Sequence, residues 1–248
     1  MKKLFFIALL SFPLFIYSQN KFGISVSVSN QGQIDKVVED FYSLNFPYGF
    51  AIQEYTNKVK GYNLKYNLGM SYVIRDSFNI RLRMGFASRI SSYEQNYPAM
   101  LWLNSDNQKS FELSPSFGII RHKGKFSFNT GIEIPVFYID DYTQYSNNKS
   151  YDTSLQLTGE YEVTTKIDGG LIFGINSYLN LKFILTKKIS LFSEINFGLM
   201  FAKLGGMYER TNRQILPNSE KFYQSFEKKY TKFFVSPPQL QLGVCYQF

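Results

Sequence analysis

The 248-residue sequence carries a formal net charge of +8, an aromatic content of 18% with 25 Phe and 19 Tyr, one cysteine and one histidine. One cysteine excludes an intrachain disulfide framework, and one histidine leaves neither a His-rich metal site nor a Ser-His-acid triad to assemble. The basic surplus is spread along the chain rather than clustered into the stripe typical of nucleic-acid binders, so no nucleic-acid partner is expected.

Met1-Lys2-Lys3 precedes an apolar run from Leu4 to Tyr17. That is the charge and length of a secretory signal and too short for a membrane span. Ser18 before Gln19 predicts cleavage there, dividing the chain into a signal peptide, 1–18, and a mature region, 19–248. Pro13 and the lack of a stop-transfer flank count against an uncleaved anchor. Loss of Lys2 and Lys3 leaves 25 basic against 19 acidic residues. Cys245 lies far from the signal, so no lipoprotein anchor is expected. No later segment offers the roughly 18 consecutive apolar residues of a transmembrane helix, and a membrane protein of this kind must cross with strands.

The mature region alternates with period two, which sends successive side chains to opposite faces. Phe22, Ile24, Val26 and Val28 oppose Gly23, Ser25, Ser27 and Ser29. The next strand sets Tyr62, Leu64, Tyr66, Leu68, Met70 and Tyr72 against Asn63, Lys65, Asn67, Gly69 and Ser71. After a turn at Arg75-Asp76, Phe78, Ile80, Leu82, Met84, Phe86 and Ile90 oppose Asn79, Arg81, Arg83, Gly85, Ala87 and Arg89. A fourth strand sets Phe111, Leu113, Pro115, Phe117 and Ile119 against Glu112, Ser114, Ser116 and Gly118. His122-Lys-Gly-Lys125 turns it into a fifth, Phe126, Phe128, Ile132, Ile134 and Val136 against Ser127, Asn129, Gly131 and Glu133. In the sixth, Leu171, Phe173, Ile175, Leu179, Leu181 and Phe183 oppose Gly174, Asn176, Asn180 and Lys182. Lys187-Lys188 leads to the seventh, Leu191, Ile195, Phe197, Leu199 and Phe201 against Ser190, Glu194, Asn196 and Gly198. The last eleven residues alternate from Pro238 to Phe248.

This pattern predicts an all-β fold, an antiparallel up-and-down transmembrane β-barrel of about eight strands. Turns near 75, 123 and 187 are short, whereas 31–60, 93–107, 139–166 and 205–235 read as long polar loops. Short periplasmic turns and long extracellular loops are the outer-membrane arrangement. A soluble lipocalin-like barrel alternates too, with its apolar set inside. The glycine on the polar face of every proposed strand favours the membrane reading: glycine weakens a solvent-exposed strand but relieves crowding in a narrow lumen. Pro115 and Pro135 fall within strands and predict local bulges.

Parity points Lys65, Arg81, Arg83, Arg89 and Lys182 inward together with Glu112, Glu133 and Glu194. Unpaired charges in a narrow lumen cost several kcal/mol each, so these eight are expected to pair. A salt-bridged plug that fixes register is one reading; a proton or solute path is the other. A hydrolase built on the three glutamates is geometrically conceivable but nothing singles it out, and His122 lies in a turn on the side opposite to where a lipid-modifying barrel holds its histidine. No enzyme, cofactor or metal is expected.

Function on a rigid scaffold concentrates in loops. Ile34, Val37, Val38, Phe41 and Tyr42 fall at helical spacing, consistent with a short amphipathic helix at the membrane surface or barrel mouth. Leu155, Leu157, Tyr161 and Val163 continue the alternation and predict a protruding, exposed sheet edge. Tyr93, Tyr97, Tyr138, Tyr142, Tyr145 and Tyr151 sit near strand ends, as an interfacial belt would. Lys221, Lys228, Lys229 and Lys232 suit lipopolysaccharide phosphates or a merely solvated loop.

The signal ending near Ser18-Gln19, the glycine-bearing amphipathic strands and the terminal Tyr246-Gln-Phe248 resemble the small outer-membrane β-barrel family of Gram-negative bacteria. Within it the chain is similar to the Bacteroidota-type barrels, a group that includes PorT-like secretion components. The resemblance covers the mature chain and is architectural. It implies an integral outer-membrane location among outer-membrane lipid and lipopolysaccharide, and recognition of Tyr246 and Phe248 by the barrel-assembly machinery. Fold does not fix function in such a scaffold, and the first expectation is a non-enzymatic protein whose loops stabilise the envelope or bind an extracellular partner. The alternatives are an accessory part of a secretion apparatus or, less in keeping with the residues, a lipid-modifying enzyme.

Overall fold

The structure, a computed structural model, describes residues 21–30, 58–62, 64–74, 77–97 and 99–248. The expected signal segment, the helical spacing at 34–42 and the Arg75-Asp76 turn lie outside the described residues. Among the described residues there are twelve strands and no helix. They are β1 (Lys21–Asn30), β2 (Lys58–Tyr62), β3 (Leu64–Ile74), β4 (Phe78–Tyr97), β5 (Met100–Lys123), β6 (Phe126–Glu133), β7 (Val136–Ile139), β8 (Tyr142–Tyr151), β9 (Leu157–Ile167), β10 (Gly170–Ile184), β11 (Ile189–Leu216) and β12 (Glu220–Gln247).

All pairings are antiparallel. β1 pairs with β3 on one side and with β12 on the other. β3 pairs with β4, and β4 with β5. β5 pairs with β6 and β7, which both pair with β10. β10 pairs with β11 and β11 with β12. β2 extends the β3 side of β4, and β8 with β9 fills the space between the outer parts of β5 and β11. Short turns hold the other ends together. Gly124 takes φ +61 between β5 and β6, a left-handed conformation that glycine adopts without a Cβ penalty. At the β10–β11 turn, the Lys188 and Ile189 amides donate to Thr186 Oγ1 at 3.2 and 3.0 Å.

Twelve strand segments are present among the described residues where about eight membrane-crossing strands were expected, for two physical reasons. First, segments expected as loops are strand: β2, β8 and β9 are additional, while 93–107 and 205–235 lengthen the β4–β5 and β11–β12 hairpins without adding to the count. Their Thr, Tyr, Val and Phe content suits strands even where charge and amides make them look like loops. Second, the stretch expected as one strand from Phe126 to Val136 breaks at Ile134-Pro135 into β6 and β7.

The bulges expected at Pro115 and Pro135 are absent. Ser116 faces Glu133 and Leu113 faces Val136, so the register against β5 is the same on both sides of the break. The Ile134 amide donates to the Pro115 carbonyl at 2.9 Å. A residue's N and C=O share one side of a strand, so the donor Pro115 lacks faces that break, where no continuous ladder needs it. The register shift lies instead where Pro237-Pro238 crosses β11, between Asn196 and Gly198.

The expected exposed edge at β9 is also corrected. β9 pairs with β8 along its length and with β11 from Glu160 to Ile167, while Leu155 sits in the preceding turn at φ 61.

The two faces of the sheet differ in chemistry. Val26, Leu68, Phe86, Phe117, Phe128, Leu179, Phe197 and Leu242 are exposed, as are their neighbours of the same parity. Ser, Asn, Gln and charged residues take the buried side, among them Asn67, Asn129, Asn176, Asn180 and Gln239. The buried side turns apolar toward the long hairpins, where Phe137, Ile139, Ile167, Ile172, Met200, Ala202, Leu204 and Tyr208 pack together. This inward cluster was not expected from sequence, because most of its contributors lie near the boundaries of segments read as loops.

Candidate functional site

Arg81 and Arg83 lie two apart on β4, so the strand sends both to the buried side. Arg83 Nη2 reaches Glu112 of β5 at 2.7 Å and Glu133 of β6 at 2.6 Å, while Nη1 reaches Glu194 of β11 at 3.3 Å and Gln241 of β12 at 2.6 Å. Arg81 forks onto both oxygens of Glu194, lies 3.8 Å from Glu133, and donates from Nε to Ser116 at 3.0 Å. Lys65 of β3 closes onto Glu112, which also accepts from Ser114. Six charges from five strands thus share one cluster. Glu112, Glu133 and Glu194 are each at most 1% exposed, so the cations beside them, not water, balance their charge.

Neutral groups complete the shell. Asn180 donates to Glu194 at 2.8 Å, and Gln241 donates onward to Ser27 at 2.6 Å. In the orientation that satisfies its neighbours, the Asn196 amide donates to Glu194 at 3.1 Å and accepts from Arg83 at 2.9 Å. Tyr178 of β10, almost fully buried, lays its ring against the Arg81 guanidinium and donates to Asn129 Oδ1 at 3.2 Å. Room for that ring comes from Gly118, directly opposite Gly131 across the β5–β6 ladder: a Cβ on Gly118 would run into the Tyr178 hydroxyl.

Of the eight inward charges expected from parity, the structure brings Lys65, Arg81, Arg83, Glu112, Glu133 and Glu194 together. Lys182 corrects the expectation of complete pairing. It lies toward the β10–β11 turn, half-buried, and makes no ion pair with the cluster. Arg89 stands opposite Gln108 in the β4–β5 ladder, and its side chain lies outside the described residues. Tyr178, Ser114, Ser116 and Gln241 were missed as site residues. Each falls on the inward parity of its strand, which was the available signal.

The expected assembly residues lie at the end of β12. The Phe248 amide donates to the Phe22 carbonyl at 2.9 Å, and the Phe248 ring packs against Phe22 and edge-on against Tyr246. His122 is exposed at the end of β5. Among the described residues no group of His, Cys, Asp or Glu is arranged to hold a metal.

No protein-family model matches this sequence, and no curated protein matches it. Solved structures found to resemble the chain include outer-membrane proteins, at TM-scores below 0.5. A major outer membrane protein from Thermus thermophilus is 10% identical with a TM-score of 0.37, over 93% of this chain and 100% of that one. The outer membrane protein OprG from Pseudomonas aeruginosa is 9% identical with a TM-score of 0.37, over 92% and 94%. CarO2 from Acinetobacter baumannii is 8% identical with a TM-score of 0.34, over 93% and 100%.

Proposed function

We propose that the chain is a non-enzymatic integral outer-membrane β-barrel whose lumen is plugged by the Arg81–Arg83 charge cluster and whose long hairpins form its working surface. The observation that carries this reading is the inversion of polarity: exposed Phe, Leu, Ile and Val surround buried Arg, Lys, Glu and Asn. A soluble barrel places these sets the other way round. The apolar side continues strand after strand, whereas a soluble monomer's largest exposed apolar patch is roughly 300–600 Å².

The pairings from β1 through β3, β4, β5, β6 with β7, β10, β11 and β12 lead back to β1. In our reading this circuit is a closed barrel of eight staves, with β6 and β7 forming one stave and β2, β8 and β9 lying beyond the bilayer. Closure explains how a bilayer is crossed without unpaired strand edges. A ring of about eight strands leaves an interior that side chains can fill, and each of the three buried carboxylates lies beside an arginine. The hairpins of β4–β5, β8–β9 and β11–β12 then face the cell exterior, where they stabilise the envelope or meet an extracellular partner. In this arrangement Lys221, Lys228, Lys229 and Lys232 on β12 contact lipopolysaccharide phosphates, and Tyr246 with Phe248 serves the assembly machinery.

Two measurements test this. Protein lacking residues 1–18 is expected to require detergent or lipid; a monodisperse monomer in plain buffer overturns the membrane reading. In planar bilayers the inserted protein is expected to give no sustained conductance; steady single-channel currents overturn the plug.

A further inference from the structure

The buried charges of the cluster balance, three cations against three carboxylates. Lys182 is the inward cation left over among the described side chains. It borders a cavity of about 30 Å³ at the end of the buried face nearest the short turns. Ser25, Ser71, Arg81, Gln241 and Cys245 also line this cavity. Glu194 touches it as well, but its oxygens are already engaged by Arg81, Arg83 and Asn180. The Ser25 hydroxyl stands directly over Gly69, which offers it no side chain. Neither Ser25 nor Lys182 has a hydrogen-bond partner within the described part of the chain.

From this geometry we infer that the cavity is a binding site for a small monovalent anion of the halide class. A half-buried ammonium group beside an arginine and with no carboxylate of its own lacks a counter-charge at its side, and whatever part of it is withdrawn from water is costly to leave uncompensated. The lining supplies what an anion takes: the Lys182 ammonium and the Ser25 hydroxyl as donors, with the Arg81 charge behind them. Size sets the class. One water needs roughly 10–15 Å³ of such space, so a cavity of about 30 Å³ admits a halide and excludes phosphate or an organic acid. The inference rests on the plugged-lumen reading, and the two fail separately: bilayer currents report on the plug without reporting on the anion.

The probe is bromide. Crystals of the detergent-solubilised protein, soaked in bromide and measured at the bromine absorption edge, are expected to show an anomalous peak between Lys182 Nζ and Ser25 Oγ. That peak is lost in Lys182→Met, weakened in Ser25→Ala and retained in Lys149→Met, whose lysine lies in the β8 arm. Should Lys182→Met not fold, a second readout stands on wild-type protein: its unfolding midpoint is expected to rise when gluconate is replaced by chloride, a shift that Ser25→Ala diminishes. No peak in the cavity, a peak indifferent to Lys182→Met, or equal midpoints in the two salts overturns the inference.

Discussion

The Arg81 guanidinium lies 3.9 Å from the centroid of the Tyr178 ring. The ring covers a cation that Glu194 also holds through its Nη atoms, so one residue of β10 bridges the charge cluster of β4 and the Asn129 amide of β6. A desolvated cation–π contact is worth about 2 kcal/mol. Tyr178→Phe keeps the ring and loses the hydrogen bond, with an expected cost of about 1 kcal/mol. Tyr178→Leu loses both and is expected to cost about 3 kcal/mol. Urea unfolding midpoints in detergent micelles check the order of the two variants.

Arg83 touches Glu112, Glu133 and Glu194 at once. Arg83→Met strands Glu133, which keeps only Arg81 at 3.8 Å, while Glu112 stays with Lys65 and Glu194 with Arg81; the variant is expected to destabilise by about 3–5 kcal/mol. Adding Glu133→Gln removes one stranded charge, so the double variant is expected to recover part of that loss. A double-mutant cycle measures the coupling, and additive costs would mean that the two residues act independently.

The limits of the apolar band are open to the same kind of test. Phe197 faces outward in the middle of the membrane-facing part of β11, and Phe222 lies near the tip of the β11–β12 hairpin. Phe197→Arg is expected to cost about 2–4 kcal/mol in lipid, and Phe222→Arg within about 0.5 kcal/mol. Refolding yields and unfolding midpoints in lipid vesicles distinguish the two, and equal costs would move the boundary.

Acid is expected to loosen the β8–β9 hairpin before the rest. A hydrogen bond from Lys166, helped by the Gly169 amide, holds Asp141 below the usual carboxylate range against its own partial burial. Glu160 is held down by Asn147 first and then by Lys149. Carboxylates depressed in the folded state contribute stability above their unfolded pKa, and that stability is lost as pH falls through the folded value. Lys166 is raised by Asp141, so its contribution is full below its unfolded pKa and is lost as pH rises through the folded value. Hydrogen-exchange protection factors over residues 142–167, referred to the unstructured rate at each pH, should therefore fall at acid pH, and Asp141→Asn should flatten that response. An unchanged response in this variant would remove Asp141 from the explanation.

What was legible in the sequence was parity. Period two placed Arg81, Arg83, Glu112, Glu133 and Glu194 on one side of their strands, because in a pleated chain spacing alone decides the face. Which partner each charge meets was not legible, since Arg83 and Gln241 lie 158 residues apart and their meeting depends on register across β4, β3, β1 and β12. Strand length was misread for a related reason. Once β8, β9 and the hairpin arms leave the apolar band they need no greasy face, so their amides and charges looked like loop composition. Pro115 misled because proline is read as a defect in a strand, whereas the neighbouring gap at Ile134-Pro135 leaves it nothing to disrupt. Lys182 followed the parity rule, but parity says nothing about whether a carboxylate stands opposite.

Residues Gly23 to Ser29 of β1 have Gln247 to Gln241 as partners on one flank. Whatever folds early, that flank must wait until residues 241–247 have been made and delivered. Contacts so distant along the chain make for slow folding, and the exposed Phe and Leu of the other staves are sticky meanwhile. The β1–β12 seam thus ties this pairing to the arrival of β12, and a chain cut short before Gln239 leaves β1 without its partner on that flank.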